Sequence, residues 1–160
     1  MPNRKATFET SKGSFTIELF EDKMPKTTEN FINLVNKGFY NGLIFHRVID
    51  GFMIQGGCPD GTGAGGPGYS IKDEFHKDCS NQRGTIAMAN RGPDTGGSQW
   101  FINIVDNSYL DFDKPPASSK HPVFGKVVEG LDVVDTISKT QTDHRDKPTQ
   151  DVVIQKITIS

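Results

Sequence analysis

Short apolar runs that alternate in the manner of strands, each cut off by a glycine, a proline or an Asp-Gly turn, direct this chain toward an antiparallel β-fold. The pattern is clearest at residues 45–57, FHRVIDGFMIQGG, where 44–48 and 52–55 read as strands and Ile49-Asp50-Gly51 as the turn joining them. Period-two alternation puts Met53 and Gln55 on one face and Ile54 on the other, with Arg47 nearby. Arginine keeps its proton at ordinary pH, and no carboxylate or thiol accompanies it, so the stretch is poorly suited to acid–base or nucleophilic chemistry. It suits a groove wall that holds a neutral, partly apolar ligand and stabilises a polarised amide.

The same reading extends along the chain. Residues 5–10 and 14–20 form an opening hairpin around Ser11-Lys12-Gly13. A helix follows, with Pro25 at its first position, Glu29 early enough to complement the macrodipole, Phe31, Leu34 and Val35 on one face, and Gly38 as its stop. Residues 84–90 give a strand whose Thr85, Ala87 and Ala89 face is small-sided. Residues 99–104 send Trp100, Ile102 and Ile104 one way and Gln99, Phe101 and Asn103 the other. Trp100 reads as packing, whereas Phe101 shares its face with two amides where an interior wants apolar neighbours. After an irregular segment come a strand at 123–128, a helix at Leu131–Ser138, a polar loop at 140–150 and a closing strand at 152–159. About eight strands with two helices and no βαβ alternation predict a mainly β fold, a closed eight-stranded antiparallel barrel capped by two α-helices, in one domain spanning 1–160.

Composition removes several functions. Eighteen basic residues against twenty acidic ones leave a formal charge of -2, which offers no footprint for nucleic acid or an anionic membrane. Cys58 and Cys79 lack zinc spacing and read as free thiols of a reducing compartment. With no apolar leader and no window approaching the ~20 residues of a membrane span, a cytoplasmic protein is expected. The glycine-rich stretch at 58–70 has neither a P-loop Gly-Lys-Ser/Thr nor a strand-to-helix glycine pattern, so it reads as a mobile surface loop. His46 reads as structural, and His76 and His144 as solvated. A hydrolase built from Cys58 or Ser98 with His46 or His121 has no nucleophile motif behind it.

Three long motifs, FHRVIDGFMIQGG, GTIAMANRGPDTGGSQWFI and HPVFGKVVEGLDVVD, in this order, resemble the cyclophilins, peptidyl-prolyl cis-trans isomerases, and the likeness runs from about residue 6 to 159. The resemblance implies an eight-stranded barrel with two helices and no metal or cofactor. It makes Arg47 the catalytic arginine with Gln55 beside it, and Phe52, Met53, Phe101 and Leu110 the pocket for the substrate proline ring. It further assigns Ala89, Asn90 and Gln99 to the peptide backbone and the residues before proline, and His121 to the pocket wall. Tyr109 stands where many members have a rim tryptophan, which resembles variants less sensitive to cyclosporin, so reduced affinity for that drug is expected. The segment 110–121 is longer than in short eukaryotic cytosolic members, altering the groove edge. The implied partners are proline-containing peptides and unfolded or partly folded proteins, and nothing demands more than a monomer. The rival reading is a proline-peptide binding module or chaperone with incidental isomerase activity, which could use the same groove without needing the Arg47 charge.

Overall fold

The computed structural model describes residues 3–111 and 120–160. Of the segment expected to alter the groove edge, 112–119 lies outside the described residues.

Eight strands form one antiparallel sheet: β1 (Lys5–Thr10), β2 (Gly13–Leu19), β3 (Arg47–Ile49), β4 (Met53–Gly56), β5 (Thr85–Met88), β6 (Trp100–Asn103), β7 (Val123–Glu129) and β8 (Ile154–Ile159). Helix α1 (Pro25–Asn36) contacts β8, and α2 (Leu131–Ser138) contacts β2, β3 and β4. In spatial order the sheet runs β3-β4-β6-β5-β7-β2-β1-β8.

That order corrects the expected closed barrel. β3 and β8 end the sheet and do not pair with each other, so the barrel is open along one seam. Segments outside the strands fill the seam: Gly42 N–H donates to the Ile154 carbonyl at 2.7 Å, Ile154 N–H to Leu43 at 2.7 Å, Phe45 N–H to Val152 at 3.0 Å and Val48 N–H to Asp146 at 2.7 Å. The strands expected at 44–48 and 152–159 are correspondingly shorter, because residues 44 and 153 meet only as an isolated bridge.

The inner face of the sheet is a continuous row. Val48 opposes Ile54, Ile54 opposes Ile102, Ile102 opposes Ile86, and Ile86 opposes Gly125, which in turn opposes Leu19. Gly125 is required there by space, since a Cβ would stand 2.6 Å from the Glu18 carbonyl oxygen. Above this row Phe8 stacks on Phe15 at 4.7 Å and meets Trp100 edge-on at 5.4 Å. Trp100 is fully buried, as its packing role predicts.

Helix α1 begins at Pro25, as its fixed φ favours, but Glu29 is not what satisfies its N-terminus. The first turn carries no acid and Met24 supplies no side-chain cap. Instead Glu74 accepts the N–H groups of Lys26 and Thr27, at 3.2 and 2.9 Å, and the Thr27 hydroxyl at 3.0 Å. A carboxylate distant in sequence thereby caps orphan donors and faces the positive end of the dipole. Helix α2 starts after Gly130, whose φ of 80° and close approach to the Ser14 carbonyl exclude a side chain.

Candidate active site

Register assembles one side of the site. Arg47 opposes Gln55, Gln55 opposes Phe101, and Phe101 opposes Ala87. Directly opposed residues share a face, so one row across β3, β4, β6 and β5 presents a guanidinium, an amide and an aromatic ring side by side. The next row is Ile49, Met53 and Asn103. Met53 and Gln55 therefore share a face while Ile54 enters the core, as alternation predicts. Ala87 leaves Phe101 without a bulky cross-strand neighbour.

A cavity of about 140 Å³ lies on this face, lined from the strands by Arg47, Met53, Gln55 and Phe101. Its remaining lining comes from loops and turns: Phe52, Ala89, Asn90, Leu110 and His121. Met53, Phe101 and Leu110 are buried, which gives the cavity an apolar interior. The His121 ring meets Phe101 edge-on at 5.2 Å and 84°. Its Nδ1 lies 3.0 Å from the Met88 carbonyl, which can only accept, so Nδ1 carries the proton. Burial pushes the His121 pKa down against the smaller opposing effects of Met88 and Asp73. The imidazole is thus a neutral wall.

The Arg47 guanidinium is exposed and, among the described residues, makes no ion pair or hydrogen bond; the ion pairs found join Arg4 to Glu21 and Arg83 to Asp135. The surface ion pair that is the ordinary alternative for such an arginine is absent among those residues. Its neighbour Gln55 is held by a relay. Gln99 donates through Nε2 to the carbonyls of Gly63 and Gly65 at 2.9 and 2.8 Å. Those carbonyls can only accept, so the Gln99 oxygen must face Gln55, whose Nε2 donates to it at 3.0 Å. Gln55 is left with its carbonyl oxygen as the uncommitted acceptor. Gln99 itself lies in a second cavity of about 310 Å³ that shares Gln55, Ala89 and Asn90 with the first, so the two form one groove.

The glycine-rich stretch, read from its composition as a mobile surface loop, makes specific hydrogen bonds within itself and to the rest of the fold. Asp60 accepts from the Cys58 thiol and from the Thr62 hydroxyl and N–H, and these bonds hold its carboxyl down to about 2. Tyr69 donates to Asn30 on α1. Gln99 and Arg91 both bind the Gly63 carbonyl. Five residues of the loop line the larger cavity ahead of Tyr69 and Ser70.

The other expected residues fall into place singly. Asn90 donates to the Lys120 carbonyl at 2.7 Å, and Ala89 N–H to Gln99 at 3.1 Å. Tyr109 is 57% exposed and does not line the cavity, so it stands outside the pocket. Ser98 donates to the Gly57 carbonyl rather than to any histidine, and both cysteines are buried free thiols, which leaves the hydrolase reading without a nucleophile–base pair. His46 is buried and its pKa is lowered, first by burial and then by Arg47. His144 is exposed, while His76 accepts the Asp78 N–H through Nδ1.

Sequence reasoning missed Asn81, Asn107 and Asp111, which lie buried behind Leu110 and His121. Their only trace in the sequence is polar residues among short apolar runs, and burial is what separates them from ordinary loop residues.

Residues 5–159 match the family model described as cyclophilin type peptidyl-prolyl cis-trans isomerase/CLD. The chain is 44% identical over 173 residues to peptidyl-prolyl cis-trans isomerase A of Mycobacterium tuberculosis, covering 97% of this chain and 91% of that one. It is 50% identical over 137 residues to the peptidyl-prolyl cis-trans isomerase of Helicobacter pylori, covering 84% and 80%. A Cryptosporidium parvum cyclophilin type peptidyl-prolyl cis-trans isomerase superposes with a TM-score of 0.90 at 33% identity, covering 99% of this chain and 98% of that one. The same protein has been solved in the presence of the dipeptide Ala-Pro, with a TM-score of 0.89 to this chain over 98% of each.

Proposed function

Since this chain belongs to the cyclophilin-type peptidyl-prolyl cis-trans isomerases, which accelerate rotation about X-Pro bonds, we propose that Arg47, Gln55 and the apolar cavity beside them carry that reaction here. The observation that carries the reading is an exposed arginine with no partner among the described residues, in register with Gln55 and Phe101 at the edge of a cavity.

Rotation about an X-Pro bond breaks amide resonance, a barrier of ~18–20 kcal/mol. In the twisted transition state the imide nitrogen regains its lone pair and becomes a hydrogen-bond acceptor, which the planar ground state barely offers. A guanidinium aimed at that nitrogen binds the transition state better than either isomer. Arg47 fills this role. The proline ring sits against Phe52, Met53, Phe101 and Leu110, with His121 as a neutral wall. Gln55, its direction set through Gln99, presents an oxygen that orients Arg47 and a remaining amide hydrogen for the substrate carbonyl. Ala89, Asn90 and Gln99 hold the peptide before proline. Holding the ring while the preceding carbonyl swings adds orientation, and a barrier lowered by about 7 kcal/mol accelerates exchange about 10⁵-fold. Nothing in this route uses a covalent intermediate, a metal or a cofactor.

The proposed substrates are X-Pro peptides and unfolded or partly folded proteins, handled by a monomer of one domain in the cytoplasm. Among the described residues no helix is long and apolar enough to cross a membrane. Tyr109, standing out from the cavity, supports weakened cyclosporin binding.

Two-dimensional NMR exchange on a proline tetrapeptide, with substoichiometric protein, tests the assignment. Cis–trans exchange should appear with the wild type and collapse with Arg47→Ala while the peptide still binds. Undiminished exchange in the variant would remove Arg47 from the mechanism.

A further inference from the structure

Behind the loop-built side of the pocket lies a chain of buried amides that runs in one direction. Asn107 donates through Nδ2 to the Phe52 carbonyl at 3.0 Å and to the Asn103 side-chain oxygen at 2.9 Å. Asn103 donates in turn to the Asn81 oxygen at 3.0 Å, and Asn81 donates to Asp111 Oδ1 at 2.9 Å. The Asn81 backbone N–H also reaches Asp111 Oδ1, at 2.7 Å, and the Ser80 hydroxyl donates to Oδ2. Asp111 is 8% exposed and, among the described residues, has no cationic partner.

An asparagine amide turned end over end fills the same space, so shape alone does not tell it which way to face. Asp111 Oδ1, which takes the Asn81 backbone N–H, is an acceptor. It fixes Asn81 with its nitrogen toward Asp111, hence its oxygen toward Asn103, and the same constraint passes to Asn107 and the Phe52 carbonyl. The chain also governs the pocket's free side. The Asn81 amide donates to the His121 carbonyl at 3.3 Å, Leu110 N–H to the main-chain carbonyl of Asn107 at 2.9 Å, and His121 N–H to the main-chain carbonyl of Leu110 at 3.1 Å.

We propose that Asp111 is a positioning residue for the isomerase: through Asn81 it holds Leu110, His121 and Phe52 at the spacing that fits a proline ring. It touches no substrate. The inference rests on the cavity being the proline site, as assigned above.

Because the ring is gripped in ground and transition states alike, loosening this side should raise KM and spare kcat. Asp111→Ala is expected to raise KM for an X-Pro tetrapeptide about 10-fold, with kcat per folded molecule within about threefold of wild type. Asp111→Asn should stay within about threefold in KM, since its oxygen can serve Asn81 while its amide donates to a rotated Ser80 hydroxyl. Combining it with Ser80→Ala removes that acceptor, and the double variant should rise about 10-fold although each single change has little effect. This cycle remains informative where Asp111→Ala does not fold. A folded Asp111→Ala with wild-type KM, or additivity in the cycle, overturns the proposal. If Phe101→Ala also leaves KM unchanged while the wild-type enzyme is active, it is the cavity assignment that fails.

Discussion

The two sides of the cavity proposed for proline are built by different physics. The strand side takes its geometry from register: once β3, β4 and β6 pair, Arg47, Gln55 and Phe101 have no choice of neighbour. The loop side has no ladder: the Asn81 amide, bonded to Asp111, holds the His121 carbonyl, and Leu110 bonds to the main chains of Asn107 and His121. Precision from a sheet comes with the backbone hydrogen bonds the fold already makes. Precision from loops needs polar groups under the surface, where each must find a partner.

Arg47→Ala should cut deepest on the strand side, lowering kcat/KM about 10²–10³-fold while peptide affinity stays within about threefold, because it removes a donor used only in the transition state. Equal losses of turnover and affinity would make Arg47 a binding residue. In the buried amide network behind the loop side, which Asn103 enters from β6, the large effect should be on stability. Asn103→Ala strands buried groups of Asn81, Thr85 and Asn107 together and is expected to cost about 2–4 kcal/mol in urea unfolding. Gln99→Ala, in the half-buried strand-side relay where water can take over, should cost less than about 1 kcal/mol. Similar values for the two would erase the distinction.

Acid should find the loop side first. Burial lowers the folded-state pKa of His121, so the unfolded chain takes up a proton at about 6.5 before the folded one does. More protons then bind the unfolded state, and stability falls as pH drops from about 7 through 6.5, levelling off below the folded-state pKa. His46, lowered in the same direction, adds to the slope. Denaturation midpoints followed from pH 7.5 to 5 should decline less steeply in His121→Phe than in the wild type; parallel curves would mean that His121 is not held neutral. The smallest effect on activity belongs to neither side. Glu74→Ala, which uncaps α1, should cost about 1 kcal/mol and leave kcat/KM unchanged.

What the sequence discloses divides along the same line. Alternation places Met53, Gln55 and Phe101 on the cavity face, commits Trp100 to the core, and finds α2 at Leu131–Ser138, because each rests on contacts a few residues long or on one strand's pleat. It fails where a bond spans the chain. Glu74 caps a helix 47 residues earlier, and Asp111 reaches back 30 residues to Asn81. Glycines 63 and 65 look like slack, yet their carbonyls orient Gln99. The closed barrel fails likewise, since β3 and β8 are joined across the seam only through residues outside any regular strand, such as Gly42, Leu43 and Asp146.

That seam bears on the company this protein keeps. The outermost strand of an open sheet offers bare N–H and C=O groups on which another extended chain can grow, the usual seed of aggregation. Here Gly42, Phe45, Val48 and Ile154 have already committed their backbone N–H groups across the gap. For the unfolded clients proposed above, the groove offers side-chain contacts, and those seam positions are closed to strand addition.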